Sequence, residues 1–410
     1  MDDFDAIMVV NGAGELASLV KPAVLRLLER APQARIILVL TPCQYATGHE
    51  LRMAQGIKGV YRTITTREYL KWALLKVAPK DIRFKKRGIV VFMGGDLFHG
   101  RILSRRLGYP AIAYSEHYPF QKKHYAKFMV PDQLIFNKFK KAGLEPGKMD
   151  IIGNLMVDGA VSNLDNLNKE ALAKKWGLDP SKDLIALLPG SRLFQARQTI
   201  AYYLDAVKII KDRLSNTQPA IVLSPFMSIE RLEKTVNKYL KDVKLVKKED
   251  KYFLIKNGTS LPVINSSQYD FIKASTLAVT VPGTNTADIA ALGVPMLVFF
   301  PFNRMDLVPL GGLFGWISSL PVIGFYLKVI YGRIADRYTK FFALPNIKSG
   351  KEIVPEFRGW FTPKDVAEKV VYLLKDKERL GRIGRDAKAA MGPAGASDKM
   401  VGEILRIINK

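Results

Sequence analysis

The chain has 410 residues, 48% hydrophobic and 25% charged, a globular composition too long for one ordinary core, so two domains are expected. Its single cysteine, Cys43, excludes an internal disulfide and any cysteine-cluster metal site; it fits a reducing compartment and needs no role beyond packing. The formal net charge of +25 calls for an anionic partner, either nucleic acid, a membrane surface or a phosphorylated substrate, with a solvated Lys-rich surface as the plain alternative.

In chain order, Asp2, Asp3 and Asp5 precede the first apolar run and have the wrong charge for a signal peptide, so a cytoplasmic location is expected. Ala6 to Val10 reads as a buried strand, followed by Asn11-Gly12-Ala13-Gly14-Glu15 and a helix from about Leu16 to Arg30. A glycine loop between strand and helix, here with Gly12 and Gly14, lets backbone approach a ligand or simply turn tightly. Ile36 to Leu40 and a short strand ending at Val60 follow, then a basic, apolar helix over Glu68 to Leu75. Gly88 to Met93 is another buried strand, and it runs into Gly94-Gly95-Asp96-Leu97-Phe98-His99-Gly100. Ligands in open α/β sheets bind beyond the carboxyl ends of strands, which puts Asp96 and His99 where chemistry is expected. A loop histidine is otherwise a surface or satisfied residue.

Ala111 to Tyr114 and Gln133 to Phe136 continue the strand alternation, and Met149 to Ile152 closes a first half. The polar stretch after Gly153, up to about Lys175, reads as the interdomain connection. The pattern restarts with Leu184 to Leu188, whose loop Pro189-Gly190-Ser191-Arg192 enters a long helix from about Phe194 to Leu214. Arg192 at that helix mouth can pair with a diphosphate, since a guanidinium adds two directed donors to the free N–H groups; the bland alternative is a surface Arg at a turn. Ala220 to Ser224, Leu261 to Ile264 and Leu277 to Val281 supply further strands. After the last of these, Pro282-Gly283-Thr284-Asn285-Thr286 forms a small-residue loop, and Ala287 to Leu292 a helix stopped by Gly293. Strand, loop and helix N-terminus together outline an anion site, or an ordinary tight βα unit. Val294 to Phe300 is the next strand, and two helices finish the chain. No zinc-finger spacing, RNP motif or aromatic-interleaved basic ribbon occurs, so nucleic acid is not an expected partner.

Four motifs stand in register: Leu187-Leu188-Pro189-Gly190-Ser191-Arg192; Ile151-Ile152-Gly153-Asn154-Leu155-Met156-Val157-Asp158; the Gly283-Thr284 loop ending in Pro295-Met296; and Leu344-Pro345-Asn346 through Gly350-Lys351-Glu352 and Glu356. Together they resemble the lipid-A-disaccharide synthase family over roughly residues 5 to 375. The resemblance implies a GT-B fold, two Rossmann-like domains with parallel sheets facing a cleft. Its domains would be 1–160 on the acceptor and membrane side and 161–375 on the nucleotide-sugar side. Helices from 376 to 410 would follow, the last packing back on the first domain. The implied activity is transfer of an N-acetylglucosamine-type sugar from a UDP donor to a membrane lipid, inverting, with no metal and no other cofactor. Arg192, Gly283, Thr284, Asn285, Asn346, Glu352 and Glu356 fall on donor-side positions. Loop amides and Arg192 would hold the diphosphate leaving group.

The chain departs from the family in its first half. Asn11-Gly12-Ala13-Gly14-Glu15 replaces the usual Ser-Gly-Asp, His99 stands where an Asp is expected, Gly359 replaces a Gln and Asp288 replaces a Glu. The catalytic base therefore falls to His99, with Asp96 or Glu15 as substitute or orienting partner. Within 305–340, Leu307 to Leu327 carries no formal charge, but Pro309, Pro321 and four glycines break a spanning helix. A segment lying in the membrane interface is the better reading, with Phe314 and Trp316 as anchors and Lys328 and Arg333 among anionic head groups. The alternative is a buried interdomain or homodimer element. The location expected is thus peripheral, on the inner face of the cell membrane, with UDP-sugar and an anionic lipid or glycolipid as partners. Three functions stay open: lipid A disaccharide or other glycolipid synthesis, UDP-sugar epimerisation, and non-catalytic UDP-sugar binding.

Overall fold

The computed structural model describes residues 3–409 apart from 44–47, 49, 226, 303–336 and 338. The chain divides into two compact units, Met1–Ser162 with Gly392–Lys410, and Asn163–Met391. The helix Lys377–Met391 therefore goes with the second unit and only the helix Ala396–Ile408 with the first.

The first unit is built on seven parallel strands: β1 Phe4–Val10, β2 Ala34–Leu40, β3 Val60–Ile64, β4 Gly88–Phe92, β5 Ala111–Tyr114, β6 Lys127–Val130 and β7 Met149–Ile151. Their order is β3-β2-β1-β4-β5-β6-β7, so the direction of winding reverses between β1 and β4. Every residue of β1 is buried because helices cover both faces of a parallel sheet. Ala6, Met8 and Val10 pack into one apolar layer and Ile7 and Val9 into the opposite one, as the two-residue period of a strand requires. Asp5 is the exception to the apolar run. Its buried carboxylate accepts from Arg35 Nε (2.7 Å) and Nη2 (3.0 Å), Lys85 N (2.8 Å) and Tyr109 Oη (3.1 Å), and so it is held as a satisfied ion pair.

Ala396–Ile408 lays Met400, Val401, Ile404 and Leu405 on the first of those layers. Its entry is tied by Asp158, whose carboxylate accepts from Gly395 N (2.7 Å) and Ser397 N (2.5 Å). One sequence reading is corrected here. Gln133 to Phe136 is not a strand but the start of the helix Gln133–Lys141, because Asp132 caps it by accepting from Ile135 N (3.0 Å); the strand is β6, just before.

The second unit holds β8 Asp183–Leu187, β9 Thr217–Val222, β10 Lys244–Lys248, β11 Lys251–Lys256, β12 Thr259–Ile264, β13 Leu277–Thr280, β14 Met296–Pro301 and β15 Glu356–Gly359. Their order is β10-β11-β12-β9-β8-β13-β14-β15, parallel except for the antiparallel pairs β10–β11 and β11–β12. Winding reverses between β8 and β13, which pair in parallel from Leu277 opposite Ile185. The long helix Leu193–Arg213 follows β8, and Asn285–Ala291 follows β13.

Candidate functional site

The reversal between β8 and β13 opens a cavity of about 240 Å³ at the carboxyl ends of the strands. Its lining comes from the loops after β8, β9 and β13 and from the helix that follows β12. Gly190 makes the first of these turns possible. Its φ is +90°, and a Cβ there would meet Gln195 Oε1 at 2.5 Å. The same Gln195 joins the two central loops, accepting from Arg192 N (3.1 Å) and donating through Nε2 to Pro282 O (3.3 Å). Beneath the floor, the buried hydroxyl of Tyr203 shares its proton between Leu188 O and Val279 O, each at 3.0 Å. The two strand ends are thereby clamped together.

Arg192 is exposed at the N-terminus of the 21-residue helix, where the backbone presents N–H groups and the positive end of the helix dipole. Opposite it, Gly283 and Thr284 are also exposed to the cavity. Asn285 lines the cavity too, but its amide donates to Thr280 Oγ1 and so shapes the loop. A guanidinium, a helix N-terminus and a glycine turn aimed at one space suit a diphosphate. Asp288 sits deeper. Burial raises its carboxyl to about 7, with Tyr269 Oη donating to it at 3.4 Å as a weaker opposing influence. Gln195, Ser191, Ser224, Gln268 and Tyr269 line this cavity without having been singled out from sequence. The loops after β8 and β13, with Gly190, Arg192 and Gly283, were the signals that pointed at their neighbourhood.

Asn346 and Glu356 are not among the residues that line the cavity. Asn346 is fully buried and its amide is spent within the protein: Nδ2 donates to Val354 O (2.8 Å) and Glu356 Oε1 (2.7 Å), and Oδ1 accepts from Ile353 N and Val354 N, each at 2.8 Å. Glu356 accepts from Phe342 N (2.8 Å) and Ala343 N (2.7 Å) as well. This knot reaches the cavity at second hand. Leu344 N donates to Thr286 Oγ1 (3.1 Å), which donates to Gly283 O (2.8 Å). Glu352 is exposed and also outside the lining; its carboxylate accepts from Glu356 N at 3.3 Å.

In the first unit, the reversal between β1 and β4 gathers Asn11, Gly12 and Glu15 from one loop with Gly94, Gly95 and Asp96 from the other. Gly95 has φ +96°, and a Cβ on it would lie 3.1 Å from the Asn11 side chain. Glu15 folds its carboxylate over Gly12, where a Cβ would meet Oε2 at 2.1 Å, while a Cβ on Gly94 would touch its Cγ at 3.0 Å. Gly14 has open space at that position, and Gly12 meets only the far end of the Glu15 side chain, so neither glycine is sterically required. Asp96 caps the helix Leu97–Leu107 by accepting from Phe98 N (2.8 Å). His99 lies one turn into that helix, half-buried, with Nδ1 2.6 Å from Tyr69 Oη. Burial lowers its pKa, and the Asp96 charge partly offsets this. The structure thus packs Glu15 against Gly94 and sets Asp96 beside His99, and it adds Tyr69, which sequence reasoning missed because it sits in the middle of an apolar helix. Phe314, Trp316, Lys328 and Arg333 lie outside the described residues.

A family model described as lipid-A-disaccharide synthetase matches residues 137–310. Among curated relatives, the lipid-A-disaccharide synthase of Geobacter metallireducens is 23% identical over 280 residues, covering 66% of this chain and 60% of its own. That of Solibacter usitatus is 26% identical over 238 residues, 58% of this chain and 49% of its own. The chain thus matches about half to three-fifths of the length of these relatives. Among solved structures, the UDP-GlcNAc 2-epimerase from Neisseria meningitidis bound to UDP-GlcNAc has a TM-score of 0.59 at 11% identity, covering 98% of this chain and 100% of that one. The S. aureus MnaA-UDP co-structure has a TM-score of 0.58 at 14% identity, covering 100% and 97%. With the strand orders described above, these likenesses give the fold as GT-B, two Rossmann-like units. In sequence, the chain is related to the lipid-A-disaccharide synthase family, at low identity and with the family match centred on residues 137–310.

Proposed function

We propose that this protein is a glycosyltransferase of the lipid-A-disaccharide synthase type, moving an N-acetylglucosamine-type sugar from a UDP donor to an anionic membrane lipid. The observation that carries the reading is the cavity at the β8–β13 reversal, which combines Arg192, the Gly283-Thr284 turn and a helix N-terminus inside the region that matches the family. The acceptor hydroxyl oxygen bonds to the anomeric carbon from the face opposite the diphosphate, the bond from that carbon to the phosphate oxygen breaks, and UDP leaves with the electron pair. Arg192 and the loop N–H groups stabilise the charge gathering on the diphosphate. Configuration at the carbon inverts. The hydroxyl proton passes to a base, and Glu15, Asp96 and His99 are the proposed candidates.

A membrane acceptor is supported by an exposed surface on the first unit. On and just after the helix Thr66–Leu75, Leu70, Leu74, Leu75 and Val77 are 38%, 75%, 69% and 51% exposed, with exposed Arg67, Lys71, Lys76 and Lys80 among them. Apolar side chains ringed by cations suit the interface of an anionic bilayer, where each cation contributes on the order of 1 kcal/mol. No helix among the described residues is long and apolar enough to cross a membrane.

The test offers the purified protein radiolabelled UDP-sugars with 2,3-diacylglucosamine 1-phosphate, with diacylglycerol, or without lipid. Label entering the phosphorylated lipid, with one UDP released per sugar moved, is the expected result. Turnover of UDP-sugar without lipid would establish epimerisation instead, and binding without turnover a non-catalytic role.

A further inference from the structure

We infer that Tyr69 holds His99 as the tautomer protonated on Nε2, so that Asp96 and not His99 takes the proton of the attacking hydroxyl. The second half of this inference rests on the glycosyltransferase reading; the first does not. Tyr69 is 1% exposed, and its ring meets that of His99 edge-on, with centroids 5.2 Å apart and planes at 85°. Its hydroxyl has one hydrogen-bond partner among the described residues, Nδ1 of His99 at 2.6 Å.

Two arrangements fit that distance. In one, Nδ1–H donates to the phenol oxygen, which strands the buried phenol proton without an acceptor. In the other, the phenol donates to Nδ1 and every polar group in the pair is satisfied. The cost of a buried unpaired donor decides for the second. Desolvation and the Asp96 charge raise the phenol pKa, which keeps that proton on Tyr69. A neutral imidazole that accepts at Nδ1 carries its proton on Nε2. Burial disfavours the imidazolium more than the Asp96 charge favours it, which lowers the His99 pKa. The groups that face the ring are Tyr69 from the preceding helix and Asp96 from its own helix N-terminus; Asp96 is the one charge acting on it among the described residues. In this tautomer neither ring nitrogen can take up the hydroxyl proton. Nδ1 is occupied by Tyr69, and Nε2 already bears hydrogen.

Asp96 has the free capacity. One oxygen accepts from Phe98 N, the residue is exposed, and its second oxygen has no partner among the described residues. Its carboxylate can receive the proton directly as the new carbon–oxygen bond forms, with UDP departing as the anion and no other reactant required.

Selective 15N-histidine labelling of the full-length protein tests the tautomer without any substrate, with His99→Gln assigning the signals. At pH 7.5 the expected pattern is an unprotonated Nδ1 and a protonated Nε2, and in Tyr69→Phe a shift toward tautomer averaging. A protonated Nδ1 in the wild-type protein would overturn the inference even if glycosyl transfer is confirmed. Substitution tests the base: Asp96→Asn lowers kcat by about 10²-fold with UDP affinity unchanged. A full kcat in Asp96→Asn, alongside loss in His99→Gln or Glu15→Gln, would assign the proton elsewhere.

Discussion

Replacing Asp288 by Asn isolates the energetic cost of keeping a carboxylate beneath the cavity. Burial raises this group from an ordinary value of 3.8 to about 7, so between those values the folded protein holds a proton that the unfolded chain releases. The folded state then binds more protons than the unfolded one, and stability falls as pH rises through the window, levelling off above about 7. Three units at about 1.4 kcal/mol each set an upper limit of about 4 kcal/mol at pH 8. Partial exposure of the side chain toward the cavity trims that figure. The substituted amide has no proton to lose and can still accept from Tyr269. The variant is therefore expected to match the wild type near pH 4 and to exceed its stability by several kcal/mol at pH 8. Urea unfolding across that range, followed by the emission of Trp176 and Trp360 in the second unit, measures the difference. A difference independent of pH would refute the argument. A stability cost concentrated on a cavity-lining carboxylate is what a ligand-binding role leaves behind.

Arg192→Ala should weaken UDP by about 1.5–3 kcal/mol, roughly 10- to 150-fold, if a charge-assisted contact to the diphosphate is lost. Calorimetry with UDP alone reads this directly, and unchanged affinity would remove Arg192 from the site. Glu356→Ala strips the acceptor from Phe342 N, Ala343 N and the Asn346 amide, and should cost about 3 kcal/mol of stability. If Glu356 instead touches the donor, Glu356→Gln will lose UDP affinity while keeping the wild-type melting temperature. Leu74→Ser with Leu75→Ser should release the protein from anionic vesicles in a sedimentation assay; retention equal to wild type would discard that surface.

Much of the fold was legible because parallel strands buried on both faces read as largely apolar runs, and β1, β2, β4, β8 and β13 all do, with Asp5, Arg35 and Asp183 as the charged exceptions. The failures have separate causes. Gln133 to Phe136 has an apolar run, but Asp132 caps it as a helix, and a three-residue apolar stretch carries no period of its own. The antiparallel strand β10 was missed because lysines fill it: Lys244, Lys247 and Lys248 leave only two apolar positions, and its partner β11 is bounded by Lys251 and Lys256. A usable signal was nonetheless present. Asn257-Gly258, with φ of +48° and +79°, is the two-residue turn that joins β11 to β12.

The sites were legible where a glycine reports a backbone need and illegible where a side chain changes employment. Gly190 announces a turn that only a positive φ can make, and the cavity forms around it. Asn346 and Glu356 show what a motif leaves unread. The sequence does not reveal that the buried Asn346 amide makes four hydrogen bonds within the protein. Their route to the cavity runs through the Leu344 N–H and the Thr286 hydroxyl to the Gly283 carbonyl. A motif can thus be tied to a binding loop through its hydrogen bonds alone, without direct contact. Tyr69 completes the point from the other side. Its position inside an apolar helix marks it as core, and by burial it is core. Only the fold shows that its single polar atom ends 2.6 Å from Nδ1 of His99.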